Sequence, residues 1–280
     1  MDKMFGSKKI EIKSPDQIAL MRKAGLIVAT ALSEVRDALR PGLSALELND
    51  LAHAVILDHG AQPSFLDYEG FSKSLCISIN DEVIHGIPNQ RIITPGDVVS
   101  FDCGAIVDGW HADSALTAIV GEPEASEHTN LVTATERAMW AGIAAVASAK
   151  RVNGIGKLIE TEVYAQSDRY GWDFGIVEEF VGHGIGSTLH QDPDVPNFRV
   201  RGLSPKIIPG MCLAIEPMLT LGSPEIEILD DGWTVRTVDR AFAAHWEHTV
   251  AVFEDGICVL TAHDGGKSEL EGLGIKVVTL

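Results

Sequence analysis

Apolar or small residues recur at Ile18, Met21, Gly25, Val28, Leu32, Val35 and Leu39. That is the spacing of a helix with one buried face. Ser14-Pro15-Asp16 supplies a cap residue and then proline at the first helical position, and Pro41-Gly42 supplies the stop. Ser44 with Glu47 forms a capping box for a second helix, which carries Leu48, Leu51, Val55 and Ile56 and ends at Gly60. From Leu75 to Leu116 the texture changes to β-rich runs broken by turn residues. Ser126–Ala149 predicts a third helix and Gly156 to about Tyr170 a fourth. A second β-rich region follows from Ile176 to Leu260.

Helix pair and strands thus occur twice. Gly42-Leu43-x-x-Leu46 returns as Gly154-Ile155-x-x-Leu158, an offset of 154 − 42 = 112 residues. No linker-like tract separates the two stretches. The pattern predicts one α+β domain over 1–280 built from two related halves, about 14–125 and 126–262, with short polar tails.

Candidate chemistry begins in Asp97–Leu116, DVVSFDCGAIVDGWHADSAL. Asp108-Gly109 is a hairpin turn signal. With that turn Val107 pairs with Trp110, paired positions sum to 217, and Asp102 lies opposite Ala115. Alternation then puts Asp113 on the face of Asp102. Two carboxylates on one face, with Val99, Phe101 and Ile106 packed around them, are costly to desolvate unless a cation joins them. The second half offers partners. His183 stands between glycines in VGHGIG, with His190 following; Glu216 lies inside the apolar run AIEPM, and Glu247 heads Thr249–Phe253. The glycine pattern superficially suggests a dinucleotide loop, but no strand-turn-helix unit accompanies it. Four carboxylates and one imidazole suit Mn, Fe(II), Co or Zn, and their charge balances two divalent ions.

Composition narrows the classes. The 280 residues are 45% apolar and 22% charged, which excludes a disordered or collagen-like chain. Lys+Arg is 22 and Asp+Glu 40, a net charge of −18, which argues against free nucleic acid and anionic membranes as direct partners. The four cysteines, Cys76, Cys103, Cys212 and Cys258, form no C-x-x-C pair and read as reduced, mostly buried thiols. Met1–Lys13 lacks an apolar signal-peptide region, and the densest apolar stretches are about nine residues. A membrane span needs about 20. A soluble, cytoplasmic protein is expected.

From Lys13 to Leu260 the chain resembles a type I methionine aminopeptidase of the short bacterial kind, in peptidase family M24. The motifs are CISINDEVIHGIP (Cys76–Pro88), the two-aspartate hairpin, GHGIGSTLHQDP (Gly182–Pro193), IEPM (Ile215–Met218), DGWTVRT (Asp231–Thr237) and EHTV (Glu247–Val250). The resemblance implies the pita-bread fold, α+β with pseudo-two-fold halves, a curved antiparallel sheet and outer helices. It implies hydrolytic removal of an initiator methionine ahead of a small second residue. By resemblance Asp102, Asp113, His183, Glu216 and Glu247 hold two divalent ions (Co, Mn, Fe, Zn or Ni), Asp113 and Glu247 bridging them and Asp102 bidentate. A monovalent cation near Asn80 is also implied. Glu216 would be the general base, His190 would stabilise the tetrahedral intermediate, and His85 would contact the scissile amide. Tyr68, Phe71, Cys76 and Trp233 match the methionine pocket, with Phe65 and Leu189 as walls.

Three departures refine the reading. There is no cysteine/histidine-rich amino-terminal extension. Glu216 and Glu247 are 247 − 216 = 31 residues apart, too close for a type II insertion. The loop that is basic in ribosome-docking members here carries Glu225, Glu227, Asp230 and Asp231, so docking through residues 225–231 is not expected. The resemblance implies a monomer. The alternatives are an aminopeptidase P or prolidase relative, and a catalytically silent binding protein of the same fold.

Overall fold

Capping opens the fold as the sequence predicts. In the computed structural model, which describes residues 10–280, Ser14 Oγ accepts from the Gln17 N–H while Gln17 reaches back to the Ser14 N–H, and α1 runs Pro15–Ala38. Ser44 and Glu47 close the same box before α2, Ala45–Asp58. The expectation for the extreme amino terminus, residues 1–9, lies outside the described residues.

The first β-region comprises β1 (Gln62–Pro63), β2 (Leu75–Ile79), β3 (Glu82–Ile84), β4 (Val98–Val107) and β5 (Trp110–Ile119). Helix α3 is Ser126–Ser148 and α4 is Asn153–Tyr170. Helix α4 starts ahead of Gly156 because Ser204 Oγ, from a distant loop, accepts the Asn153 N–H at 3.0 Å. The spacing of neighbouring residues carries no trace of that cap. The second β-region holds β6 (Gly175–Ile176), β7 (Gly182–Gly184), β8 (Gln191–Val195), β9 (Cys212–Ile215), β10 (Met218–Thr220), β11 (Ile226–Ile228), β12 (Val235–Thr237), β13 (Ala243–His245), β14 (Glu247–Phe253) and β15 (Gly256–Val259). A short α5, Lys267–Leu270, follows.

Nine strands form one antiparallel sheet in the order β1-β4-β5-β14-β9-β7-β8, with β2 also on β4 and β15 also on β14. Each helix pair covers its own part of the sheet. Val28 and Leu32 of α1 and Leu48 and Ile56 of α2 pack with Leu75 and Phe101. Met139 and Ile143 of α3 and Ile159 of α4 pack with Leu213, Ile215 and Val250. Val99 and Phe101 therefore do not surround the aspartates as expected; they alternate to the opposite face and pack under the first helix pair.

The stretch after residue 262, read as a polar tail, is tied back. Leu270 is fully buried in the second cluster, and the Val278 N–H donates to the Ile257 carbonyl at 2.8 Å. Polar residues outnumber apolar ones there, so composition hides the few that anchor it. Arg22 of α1 joins the halves, donating to the carbonyls of Leu260 at 2.7 Å, Ala262 at 2.6 Å and His263 at 3.0 Å. One turn further along the helix, Gly25 sits so close that any Cβ would run into the Leu260 carbonyl. Gly25→Ala is expected to lose about 1–3 kcal/mol in urea unfolding through this backbone clash. An unchanged midpoint would mean that α1 and residue 260 can move apart freely.

Candidate metal centre

Sheet register builds the site. Asp102 pairs with Ala115, and Ala115 pairs with Glu247. His248 pairs with Ile215, so the same register carried one step further sets Glu247 across from Glu216 at the end of β9. Gly184 pairs with Leu213, which sets His183 across from Ala214, two residues from Glu216. Paired residues share a face and next-nearest residues on a strand share it too. Asp102, Asp113, His183, Glu216 and Glu247 therefore arrive on one face from five segments. Cys76 joins them, since it pairs with Asp102. The hairpin that supplies both aspartates has the predicted turn, with Asp108 at φ 48° and Gly109 at φ 82°, the left-handed pair that a tight hairpin requires.

Ligand atoms of Asp113, His183 and Glu247 lie within 4.8 Å of one another. His183 Nε2 is 3.3 Å from Glu216 Oε1 and 3.7 Å from Asp113 Oδ2. The His183 ring is oriented by its Nδ1, 3.0 Å from the Gly184 carbonyl. Burial pushes the carboxyls of Asp102, Glu216 and Glu247 well above the usual carboxylate range, and the neighbouring Asp113 pushes them further. Burial raises Asp113 to about 6, against the counter-pull of His190 and of the Thr249 hydroxyl. Burial also holds His183 and His85 down at about 4. Asp102 Oδ1 and Glu247 Oε1 are buried with no hydrogen-bond partner. Unpaired carboxyl oxygens beside other carboxyls suit a cation, and four carboxylates with one imidazole form a donor set that fits divalent metal.

The cluster forms the polar side of a pocket of about 190 Å³. Phe65, Phe71, Cys76, Leu189 and Trp233 supply an apolar wall, with Phe71 and Trp233 edge to face at 5.1 Å. His85, Tyr68 and His190 also line it. Every site residue expected from the sequence, apart from the ion near Asn80, thus borders this one space. Asn80 lies elsewhere, its side chain bonded to Asp97 at 2.9 Å and to the Val98 N–H at 2.9 Å. His85 follows β3 at φ 58°, a strained setting for a side chain other than glycine. Gly86 follows because a Cβ there would strike the Ile77 carbonyl.

Three participants escaped the sequence reading. Thr249 Oγ1 lies 3.0 Å from Asp113 Oδ1; strand alternation in Glu247-His248-Thr249 could have revealed it. His245 Nε2 lies 3.7 Å from Glu216 Oε2, buried and unpartnered, and Glu69 lines the pocket mouth at φ 49°. No local signal marks either.

The family model described as Metallopeptidase family M24 matches residues 19–254. The chain belongs to metallopeptidase family M24. Among M24 relatives, the chain is 46% identical to "Methionine aminopeptidase 1" of Mycobacterium tuberculosis, over 92% of this chain and 97% of the relative. It is 41% identical to "Methionine aminopeptidase 1" of Bacillus subtilis, over 89% and 98%. The crystal structure of a methionine aminopeptidase from Thermotoga maritima superposes with a TM-score of 0.86 at 36% identity, covering 91% of this chain and all of that one. A prolidase from Pyrococcus furiosus, at 20% identity and a TM-score of 0.64, shares the fold. The M24 chain groups with the type I bacterial methionine aminopeptidases and has their pita-bread fold.

Raised carboxyl pKa values favour the folded protein below the unfolded values near 4, and that benefit is lost as pH rises through the folded ones, about 6 for Asp113. Divalent ions must displace those protons. The thermal stability gained on adding Mn²⁺ to chelator-treated protein is therefore expected to grow from pH 5 to pH 7.5. It should approach about 3 kcal/mol once free ion exceeds Kd a hundredfold. A gain independent of pH would exclude these carboxyls as the ligands.

Proposed function

We propose that this M24 metallopeptidase removes the amino-terminal methionine from peptides and nascent proteins with a small second residue. Asp102, Asp113, His183, Glu216 and Glu247 would hold two divalent ions, of Co, Mn, Fe, Zn or Ni. The observation that carries the reading is one pocket with unpaired carboxylate oxygens on one side and Phe65, Phe71, Cys76 and Trp233 on the other. Bound there, divalent ions supply Lewis acidity toward the peptide carbonyl and a lowered pKa for the attacking water.

The chain's own groups do the rest. Glu216, half-buried between His183 and His245, takes the proton of the attacking water as general base. His190 donates to the oxygen that becomes negative at the scissile carbonyl. Burial lowers the His190 pKa, which favours the neutral ring, and its Nδ1 is bonded to the Tyr68 hydroxyl at 2.7 Å. With the phenol as donor, the ring's own proton sits on Nε2. His85, edge to face with Phe180 at 5.5 Å, contacts the scissile amide and assists the leaving amine. A thioether against the edges of Phe71 and Trp233 contributes about 0.3–1.5 kcal/mol.

Beyond the site, we read residues 14–125 and 126–262 as two halves of one domain, each with its own helix pair and core cluster. The chain acts as a cytoplasmic monomer; its four cysteines are free and buried. Among the described residues, no helix is long and apolar enough to cross a membrane. Near Asn80 both side-chain polar atoms are engaged and the backbone carbonyl accepts the Ala243 N–H at 2.8 Å, so a monovalent cation there would share that carbonyl. Glu225, Glu227, Asp230 and Asp231 are all exposed, which supports a chain that does not dock on ribosomal RNA through this loop.

Protein reloaded with Mn, Fe or Co should release methionine from Met-Ala-Ser and leave Leu-Ala-Ser and Xaa-Pro peptides intact. No methionine release with any metal overturns the reading. Glu216→Gln should cut kcat by about 10²–10⁴ while metal binding persists; near-normal turnover would remove Glu216 as the base. Co-sedimentation with ribosomes at low salt should be weak. Strong binding that disappears when the four acids of the loop are neutralised would contradict the electrostatic argument.

A further inference from the structure

We propose that Glu11, on the extended segment before α1, is a positioning residue for His190. It clamps the loop Gly186–Gln191 so that the imidazole stands over the carboxylate cluster. The proposal rests on the reading of His190 as the oxyanion donor.

One carboxylate pins both ends of the loop. Glu11 accepts from the Ser187 N–H at 3.0 Å, the Ser187 hydroxyl at 2.6 Å and Gln191 Nε2 at 2.9 Å. Lys13 Nζ completes the clasp, donating to Gln191 Oε1 at 3.0 Å and lying 3.5 Å from Glu11 Oε2. The Lys13 side chain is 2% exposed, and a buried ammonium is tolerated only with such partners. The strap itself is fixed, because the Lys13 N–H donates to the Gly210 carbonyl at 2.8 Å. It presses on the loop so closely that a Cβ at Gly186 would collide with the Lys13 and Glu11 side chains.

The loop needs the clamp. Pairing of Gly184 with Gln191 closes the base of the loop, and within it Gly186 widens the choice of backbone conformations. His190 lies between the pocket-wall residue Leu189 and Gln191, and its far side is held by Tyr68. Glu11 thus sets the backbone and Tyr68 sets the ring. Burial works to raise the Glu11 pKa, but the bonds from Ser187 and Gln191 and the Lys13 charge hold it down to about 2. The clamp therefore stays charged throughout the working pH range. Misplacing a catalytic group by an ångström can cost about a hundredfold in rate.

The test is a double-mutant cycle in Mn²⁺-loaded enzyme, read beside amide hydrogen exchange of Ser187–His190. Glu11→Ala should lower kcat for Met-Ala-Ser about tenfold or more, with a smaller change in KM. Glu11→Gln, which keeps an acceptor oxygen, should recover much of the loss. In a His190→Ala background Glu11→Ala should change kcat less than twofold, because the two act through one ring. Exchange of the loop amides should speed up, while Mn²⁺ affinity stays within twofold. Equal losses in both backgrounds, or unchanged loop exchange, would overturn the positioning role. If His190→Ala alone leaves kcat intact while Glu11→Ala still loosens the loop, the reading of His190 falls and the clamp stands. Should Glu11→Ala not fold, Glu11→Gln carries the same cycle.

Discussion

Four carboxylates on one buried face repel one another, and the rest of the molecule is arranged around that repulsion. Bringing Asp102, Asp113, Glu216 and Glu247 out of water is unfavourable for each of them alone and worse together. Proteins tolerate this where a cation completes the set or where protons take its place. The raised carboxyl pKa values describe the second solution and the unpaired oxygens of Asp102 and Glu247 point to the first. Sheet register is what prevents the groups from drifting apart to relieve the strain. β5, β14 and β9 are hydrogen-bonded neighbours, and slipping any of them by one residue would turn its acids to the opposite, helix-covered face.

The surroundings follow from the same constraint. The opposite face of the sheet is apolar and covered by helix pairs, so the strands cannot twist away without exposing the core. Within the pocket burial lowers the pKa of His85, His183 and His190, so these rings do not offset an ionised carboxylate cluster, and the cluster favours cations. The apolar wall faces the same cavity. One enclosure thus offers a charged side for the reacting bond and an oily side for an unbranched, polarizable side chain, the character of the methionine thioether.

Local chemistry explains what could be read from the chain. Caps at Ser14 and Ser44 and the Asp108-Gly109 turn are decided by residues within a few positions of one another, and the sequence shows all of them. Hairpin arithmetic placed Asp102 opposite Ala115, as the structure has it. The joining of β5 to β14, which makes one centre of two half-sites, spans more than a hundred residues and leaves no local mark. Residue chemistry suggests that the two half-sites combine, because their charges balance two divalent ions, but it does not give the strand pairing that joins them. The start of α4 was missed because its cap, Ser204, comes from a distant loop. The carboxy-terminal stretch looks like a polar tail in sequence because a few residues, Leu270 in the core and Val278 bonded to Ile257, fix it against many polar neighbours. His245 was invisible for a related reason: its importance lies in facing Glu216 from another strand.

The order of the strands in the sheet differs from their order in the chain, and this bears on biosynthesis. Asp102 and Asp113 are made early, His183 and Glu216 follow, and Glu247 comes last of the five, on the strand that bridges the two groups. The first hairpin can form while the rest is still being translated, but it meets its partners only when β14 has emerged and inserted between β5 and β9. The five ligands therefore cannot be brought together until β14 has been made. An incomplete chain carries two aspartates that have nothing to hold.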